Sequence, residues 1–245
     1  MAMPNETWLR KYEGVKEKLY CKVDLESYFK EKSIGGVDVD VIEMGSVHFP
    51  TGTIFACDPL VDLEECLPYF QKIPAGTYPV KICVAMREDG DERYACAKVA
   101  VSNGRPVCYE MAMVGNENLD AELSDDSFFG FGVDAGMGCV ADVRAQEAYN
   151  AYWEKRLEED ECIDNYNDLF CDVLEESARE HPAHQRKDGD WANWPVPGSD
   201  CSIPIFAAGW GDGVYPCFFG RDEDGAVCGV YVWFIVIDEE YADED

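Results

Sequence analysis

Residues 37–114 consist of short apolar or alternating segments separated by turn residues, and this pattern limits the possible folds more than any other feature. The segments are VDVDVIEM (37–44), TYPVKICVAM (77–86), RYACAKVAV (93–101) and RPVCYEMAMV (105–114). Alternation of apolar and polar residues is typical of strands with one buried face. Asp89 and Gly90 lie between the second and third segments and favour a hairpin there. We therefore predict an antiparallel meander over this region.

The middle of the chain changes to a helical period. Asp142 is a good N-cap, and aromatic residues at helical spacing behind it predict a helix over residues 143–159. A second helix is predicted over residues 162–179. Near the start of the chain, residues 5–32 favour two helical pieces, and Asp24 is the expected cap of the second.

The last third of the chain returns to strands. Residues 180–200 are rich in Pro, Gly and Asp and predict an irregular loop. The predicted strands after it are 201–208, 214–219 and 226–237. Asp224-Gly225 lies between the last two strands and predicts a type I′ turn. We expect these late strands to complete the core that begins before residue 114.

Together these elements predict an α+β fold, in which mostly antiparallel β-hairpins and a meander pack against a few helices. Gly35 and Gly36 are expected to act as a hinge before the first strand. The predicted units are an N-terminal helical extension with the first strand (1–44), a single α+β domain (45–237) and an acidic tail (238–245).

The chain is strongly acidic, with 50 Asp and Glu against 20 Lys and Arg and a formal charge of −30. Such a charge repels phosphate backbones, so we expect no binding to nucleic acid through a broad basic surface. It suits a basic protein partner or a site that collects divalent cations, although solubility alone also explains it. The longest apolar run, at 226–237, is shorter than the roughly 20 residues that span a bilayer, so no membrane segment is expected.

The twelve cysteines are predicted to be free thiols. Several of them, such as Cys83 and Cys96, lie in apolar strand-like segments, where a free cysteine behaves as a small hydrophobic residue. There is no CxxC pair, and the first residues have no apolar stretch of the kind that directs secretion. These features predict a reducing cytoplasm.

The common catalytic motifs are absent from the sequence. GWGDG (209–213) lacks the spacing of a dinucleotide fingerprint, and neither a GxxxxGK[ST] loop nor a GxSxG elbow occurs. His181 and His184 lie in a loop without a nearby cysteine, which disfavours a zinc pair. His48 ends a predicted strand and is interpreted as structural. We therefore predict no organic cofactor.

Four aspartates stand beside Gly or Pro or at a helix cap, namely Asp58, Asp134, Asp142 and Asp212. Carboxylates gathered at strand ends can hold a divalent metal or act as general acid and base. They can equally accept backbone N–H bonds in turns, which is the usual role of Asp next to Gly. We favour the turn role for each one alone, and a cluster in one cleft would favour chemistry.

Cys139 is a further catalytic candidate. It lies just before the helix predicted from residue 143, and a helix N-terminus can lower the pKa of a thiol. With a histidine brought close by the fold it would be a nucleophile. A structural role is favoured, because this chain uses cysteine freely.

Four motifs in order resemble the bacterial family known as domain of unknown function 4241. They are GSVHFPTGTIFACDPL (45–60), IPAGTYPVKI (73–82), FGVDAGMGCVAD (131–142) and GWGDGVYPCFFGRDEDGAVCGVYV (209–232). The resemblance implies a shared fold but no activity. Its motif residues here are Pro50, Thr51, Gly52, Asp58, Pro59, Gly76, Asp134, Gly136, Gly138, Asp142, Gly211, Asp212 and Gly213. In that family the last strand often ends in Asp-Phe, where Trp233-Phe234 stands here.

Two functional hypotheses follow. The first is a soluble, acidic, non-enzymatic binding protein that masks a basic protein partner, presenting Trp191 and Trp194 as exposed aromatic residues. The alternative is a metal-dependent hydrolase. In it, Asp58, Asp134 and Asp212 would be metal ligands, Asp142 a base or a group that supports the ligands from behind, and Cys139 or His48 an assistant. Only Arg144 and Arg221 lie near these motifs in sequence to bind a phosphate.

Overall fold

The computed structural model describes residues 4–87, 90–121, 123–124 and 127–240. Within them lie thirteen strands and four α-helices. The strands are β1 (Ser33–Ile34), β2 (Val37–Phe49), β3 (Ile54–Cys57), β4 (Gly76–Met86), β5 (Glu92–Ala100), β6 (Cys108–Met111), β7 (Phe131–Val133), β8 (Met137–Asp142), β9 (Trp191–Pro195), β10 (Ser202–Ala207), β11 (Gly213–Tyr215), β12 (Cys217–Arg221) and β13 (Val227–Trp233). The helices are α1 (Glu6–Val15), α2 (Val143–Glu159), α3 (Cys171–Glu180) and α4 (Ile237–Glu240). The protein is α+β, as predicted.

A seven-stranded antiparallel sheet has the order β1-β2-β4-β5-β13-β12-β6. The predicted hairpin between β4 and β5 is confirmed, although its tip residue Asp89 lies outside the described residues. The prediction of a simple meander is wrong at β6, because β6 pairs with β12 while β13 pairs with β5. The two C-terminal strands are therefore inserted into the sheet that the earlier strands begin, as expected for strands that complete its core.

A four-stranded antiparallel sheet, ordered β3-β8-β10-β9, forms a middle layer. Its side chains alternate between two cores: Ile54 and Ala56 face the seven-stranded sheet, whereas Phe55 and Cys57 pack on the helix side. Strands covered on both faces carry apolar residues at successive positions. This explains the continuous burial of β3 and β8. The layers are thus sheet, sheet and the pair of helices α2 and α3.

The N-terminal segment packs on the seven-stranded sheet. Asn5 caps α1 by accepting from the backbone N–H groups of the first turn. The prediction of a second helical piece within residues 5–32 is wrong, since only a 3₁₀ turn at Ser27–Phe29 forms there. The Asp24 carboxylate accepts a hydrogen bond from the Tyr109 hydroxyl at 2.5 Å and from the Glu26 N–H at 3.2 Å. The hydrogen bond from Tyr109 on the sheet competes with the capping of a helix by Asp24.

Gly35 and Gly36 form the two-residue turn of the β1–β2 hairpin and are not a hinge. Their φ angles are +55° and +88°, a conformation that glycine adopts without steric cost. Strand β2 then runs to Phe49 with an irregularity in its pairing between Glu43 and Ser46, so the predicted boundary between residues 44 and 45 falls at this irregularity inside a strand. Residues 238–240 of the predicted tail belong to α4, and residues 241–245 lie outside the described residues.

The hairpin between β12 and β13 is confirmed, but its predicted turn type is wrong. Asp224 does not have a positive φ angle, whereas Gly225 has φ +78°. The Gly225 N–H donates to Asp222 O at 2.9 Å, and the Asp222 N–H donates to Ala226 O at 3.0 Å. These bonds define a three-residue loop with a bulge, and a separate register shift follows between Gly220 and Arg221.

The region from 162 to 200 differs most from its prediction. The predicted second helix is shorter, because a π-helical turn at Tyr166–Phe170 precedes α3. The predicted loop contains β9, which pairs with β10. Trp191 and Trp194 lie in this strand and are buried, so the prediction of exposed tryptophans is wrong. Trp194 packs edge-on against Phe170 at 5.2 Å between ring centroids.

Candidate functional site

Asp142 is fully buried at the end of β8 and acts as a structural anchor. Its carboxylate accepts hydrogen bonds from the backbone N–H groups of Thr51 (2.9 Å), Gly52 (2.9 Å) and Arg144 (3.0 Å). The Thr51 hydroxyl donates to it at 2.9 Å. These donors occupy most of the acceptor sites of one carboxylate. Asp142 thus fastens the turn before β3 to the N-terminus of α2, and its predicted capping role is confirmed.

Asp58 is the second buried anchor. Its carboxylate accepts from the N–H groups of Leu60 (3.0 Å), Asp134 (3.0 Å) and Ala135 (2.7 Å). Burial raises the pKa of Asp58 above its ordinary value, and the three backbone donors oppose that rise. The carboxylate joins the segment after β3 to the turn between β7 and β8.

Asp134 and Asp212 have exposed side chains. In the antiparallel β7–β11 ribbon Val133 pairs with Gly213, so Asp134, which follows β7, and Asp212, which precedes β11, lie at the same end of the ribbon. Asp58 binds the backbone of Asp134 and not its carboxylate. Within the described residues, no group of three or more His, Cys, Asp or Glu side chains is arranged to hold a metal ion. The predicted ligand set is not gathered around one point there.

Cys139 is fully buried in β8, opposite Cys57 of β3, with 3.6 Å between the two sulfur atoms. Burial, followed by the neighbouring thiols, raises the pKa of Cys57 well above its ordinary value. His48, the alternative assistant in the hydrolase hypothesis, has its Nδ1 atom 3.3 Å from the Asp200 carboxylate. A substrate would reach the Cys139 thiol only if the core opened.

An open groove of about 1180 Å³ lies among the described residues. Two of its walls, 135–137 and 207–211, belong to the motifs DAGMG and GWGDG. We call it the motif groove. Its other walls come from the end of the β4–β5 hairpin, the π-helical turn and the loop that joins α3 to β9. Large clefts with a few polar groups are the usual place for ligands.

GWGDG is a tight turn and a groove wall at the same time. Gly209 and Gly211 have φ angles of +41° and +97°. A Cβ atom on Gly209 would lie 2.7 Å from the Cβ of Phe234, so the residue must be glycine for packing as well as for conformation. The Tyr215 hydroxyl donates to Gly211 O at 2.9 Å and steadies the turn. The turn presents Trp210 with 43% of its surface exposed.

Charged side chains from distant parts of the sequence line the motif groove. The Arg93 guanidinium lies 5.0 Å from the centre of the Trp210 ring, a cation–π contact. The Arg186 guanidinium pairs with Asp190 at 2.6 Å. Arg144 and Arg221, the cations noted from the sequence, instead pair with Glu147 and Glu110. The carboxylates that line the groove in the described part of the chain outnumber the guanidinium groups of Arg93 and Arg186. They are Asp91, Glu92, Asp164, Asp188 and Asp190.

His184 holds the loop between α3 and β9 against the seven-stranded sheet. Its two ring nitrogens lie 2.9 Å from Glu92 and 3.0 Å from Asp40, and its carbonyl accepts from the Tyr94 hydroxyl at 2.7 Å. Partial burial lowers the pKa of His184, but the bonds to the two carboxylates raise it more, so the net direction is upward. Its φ of +56° is uncommon for a residue other than glycine.

The family model described as "Protein of unknown function (DUF4241)" matches residues 47–232, which is more than half of the chain. The chain belongs to the DUF4241 family. The resemblance of its four motifs is thereby confirmed. No curated protein and no solved structure matches the sequence. Because the description of DUF4241 carries no activity, only the groove and its side chains can indicate a function.

The DUF4241 match contains Glu92, His184 and both motif turns of the groove, whereas Asp40 precedes the matched range. Trp233-Phe234 follows it directly. There, the Trp233 indole N–H donates to the Tyr28 hydroxyl at 3.3 Å, and Phe234 packs edge-on against Tyr215. Trp233 and Phe234 therefore have packing roles in this chain.

Sequence reasoning missed Arg93, His184 and Arg186 as groove residues. Arg93 follows a hairpin tip, and the other two lie in a loop rich in turn residues, the kind of segment that often carries binding residues. That signal was present in the sequence. It does not show that the two loops meet, because residues 93 and 184 are brought together only by sheet pairing and the packing of α3.

Proposed function

We propose that this chain is a binding protein and not an enzyme, and that its motif groove receives a basic, extended segment of a protein partner. Support comes mainly from the exposed Trp210 ring at the wall of a groove with an acidic lining. Trp, Tyr and Arg are the residues that most often dominate binding energy at interfaces. Trp210, Arg93 and the 39% exposed Tyr166 all lie in this groove.

The net negative charge of the chain indicates that the partner is positively charged. A formal charge of −30 attracts cationic partners and speeds their encounter, while the groove carboxylates match Lys and Arg side chains locally. Aromatic rings in the same groove can cover the aliphatic stems of those side chains. An acidic protein that masks a basic partner fits both the net charge of the chain and the local charge of the groove.

The alternative is a metal-dependent hydrolase that uses Asp58, Asp134, Asp142 and Asp212. It requires the buried carboxylate of Asp58 to exchange backbone N–H bonds for a cation, and that of Asp142 to give up such bonds in order to act on a substrate. Breaking those bonds would release the turns that each carboxylate fastens. The binding protein needs no such rearrangement, and we prefer it for that reason.

We also propose a reducing compartment such as the cytoplasm for this protein. All twelve cysteines lie within the described residues and are free thiols, and seven of them sit in strands. In the part of the chain that the structure describes, no helix is both long and apolar enough to cross a bilayer.

The proposal is tested by selecting a displayed library of ten-residue peptides on the wild-type protein. We expect the enriched peptides to carry a net positive charge and to bind more weakly as salt rises, because screening weakens exposed charge pairs. Trp210→Ala should weaken binding about tenfold or more, equivalent to about 1.4 kcal/mol.

Val214→Ala is the matched control, since Val214 is 56% exposed on the neighbouring strand β11 and does not line the groove. It should leave binding unchanged. Enrichment of neutral or acidic peptides, or equal affinity of the Trp210→Ala variant, would rule out this use of the groove.

A further inference from the structure

A second pocket lies on another face of α3, at the edge strand β9 and beside the middle of β2. Its volume is about 580 Å³, and it shares no lining residue with the motif groove. Val173 and Ser177 of α3 face this pocket, whereas Leu174 lines the groove. We call it the α3–β9 pocket. Met44 and Pro195 contribute to its apolar wall.

Three buried polar atoms in residues of this pocket have no hydrogen-bond partner: Trp191 Nε1, Ser177 Oγ and Asn193 Oδ1. Trp191 is 4% exposed and Ser177 is 8% exposed. Buried polar groups without partners destabilise a fold, and those that persist call for an explanation. One donor and two acceptors in one pocket define a pattern that a ligand can complete.

The pocket favours a cation. Its lining contains Glu43, Asp172, Glu176 and Glu180, and no lysine or arginine among the described residues. Two of these carboxylates already pair with cations outside the lining, Glu43 with Lys81 and Glu176 with Arg179. The remaining acidic groups would attract a positively charged ligand.

The pocket also favours a planar group. The imidazole of His181 stacks on the indole of Trp191, with 5.3 Å between ring centroids and 23° between planes. His181 is exposed and ends α3, so its ring can leave the indole by rotation of its side chain. Its departure would uncover an aromatic face of the kind on which guanidinium groups stack.

We propose that the α3–β9 pocket binds an arginine residue of a peptide. The guanidinium stacks on Trp191 in place of His181 and donates to Asn193 Oδ1 and Ser177 Oγ. The peptide carbonyl accepts from Trp191 Nε1, and the methylene stem lies along Met44 and Pro195. A free carboxylate would be repelled by the acidic lining, which favours arginine within a chain over free arginine. This site is independent of the motif groove.

The direct test is titration of the full chain with Nα-acetyl-arginine amide, followed by calorimetry. Nα-acetyl-citrulline amide has the same shape without the charge and should bind at least about tenfold more weakly. Nα-acetyl-lysine amide and free arginine should also bind more weakly, because the first lacks the planar head and the second carries a carboxylate. Equal binding of the arginine and citrulline probes would overturn the proposal.

Variants separate a ligand site from ordinary packing. Ser177→Ala removes an unpartnered oxygen, so it should weaken binding of the arginine probe without lowering the Tm. His181→Ala should strengthen binding, because the ring no longer competes for the indole. Val214→Ala, which lies outside the lining of both pockets, should leave the affinity for the arginine probe unchanged.

The proposal is wrong if the arginine probe binds neither the wild type nor the His181→Ala variant. It is also wrong if Ser177→Ala leaves affinity unchanged. Trp191→Phe adds a further check, since it keeps the aromatic face and removes only the N–H donor. If Trp191→Phe does not fold, the Ser177→Ala result decides.

Discussion

At the scale of single residues, His184 is the most constrained side chain of the motif groove. It adopts a left-handed backbone conformation and bonds two carboxylates from different strands, Asp40 of β2 and Glu92 of β5. A backbone of this kind persists only where surrounding contacts hold it. Those contacts bind one wall of the groove to the seven-stranded sheet.

The contribution of His184 to stability should depend on pH. Its pKa is raised in the folded protein, so its stabilising bonds are fully present below the unfolded pKa of about 6.5 and are lost as the pH rises through the folded value. The hydrogen bond to His184 lowers the pKa of Asp40 in the folded protein. The stability that Asp40 contributes is therefore lost as the pH falls through this lowered pKa.

His184→Asn is the suitable variant, because asparagine tolerates a positive φ. The difference in unfolding free energy between wild type and variant should reach about 1 kcal/mol below neutral pH and shrink above it. Its size is modest because both carboxylates are largely exposed. Urea unfolding at several pH values measures it. A difference that does not change with pH would show that His184 acts by packing alone.

At the scale of elements, Asp142 links a strand end, a turn and a helix. Its N-capping bond to Arg144 is local, whereas the bonds to Thr51 and Gly52 cross from another part of the chain. Periodicity and capping residues predicted α2 with both of its ends, because these signals act within a few residues. The bonds to the turn could not be predicted, since they depend on the pairing of β3 with β8.

Asp142→Asn should destabilise the protein by about 2–4 kcal/mol, because an amide cannot accept from all the donors that surround the carboxylate. Asp212→Asn is the control and should change stability by less than about 0.5 kcal/mol, since that side chain is exposed. Thermal and urea unfolding of both variants measure the difference. Equal effects of the two substitutions would contradict the anchor role.

At the scale of the whole molecule, the charge of −30 opposes compaction through self-repulsion. Added salt should therefore raise the Tm, because the screening length falls from about 10 Å at 0.1 M to about 3 Å at 1 M. Mg²⁺, Mn²⁺, Ca²⁺ and Zn²⁺ should act no differently from NaCl at matched ionic strength, and EDTA should have no effect.

The same experiment distinguishes the two functional proposals. A gain in Tm that is specific to one metal and lost in Asp58→Asn would favour the hydrolase. The Asp212→Asn variant serves again for comparison, since it removes a predicted ligand without breaking a buried anchor. A purely salt-like response in all three proteins is the result expected of a binding protein.

The sequence by itself determined the features that depend on neighbours in the chain. It predicted the α+β class, the bounds of α2, the hairpins β4–β5 and β12–β13, and the family. Each rests on periodicity, capping or turn residues, whose interactions span a few positions. The glycines of GWGDG are a local signal of the same kind, because Gly209 and Gly211 supply the positive φ angles of its turn.

Only the tertiary structure decided which strands distant in sequence pair, which tryptophans are buried and which charges meet. β6 lies beside β12 and not β5, and Trp191 is buried because α3, β9 and β2 converge on it. Strand order and burial are set by the packing of the entire chain, where a local sequence is compatible with several partners. The motif groove and the α3–β9 pocket arise at that level, since their walls come from residues more than ninety positions apart.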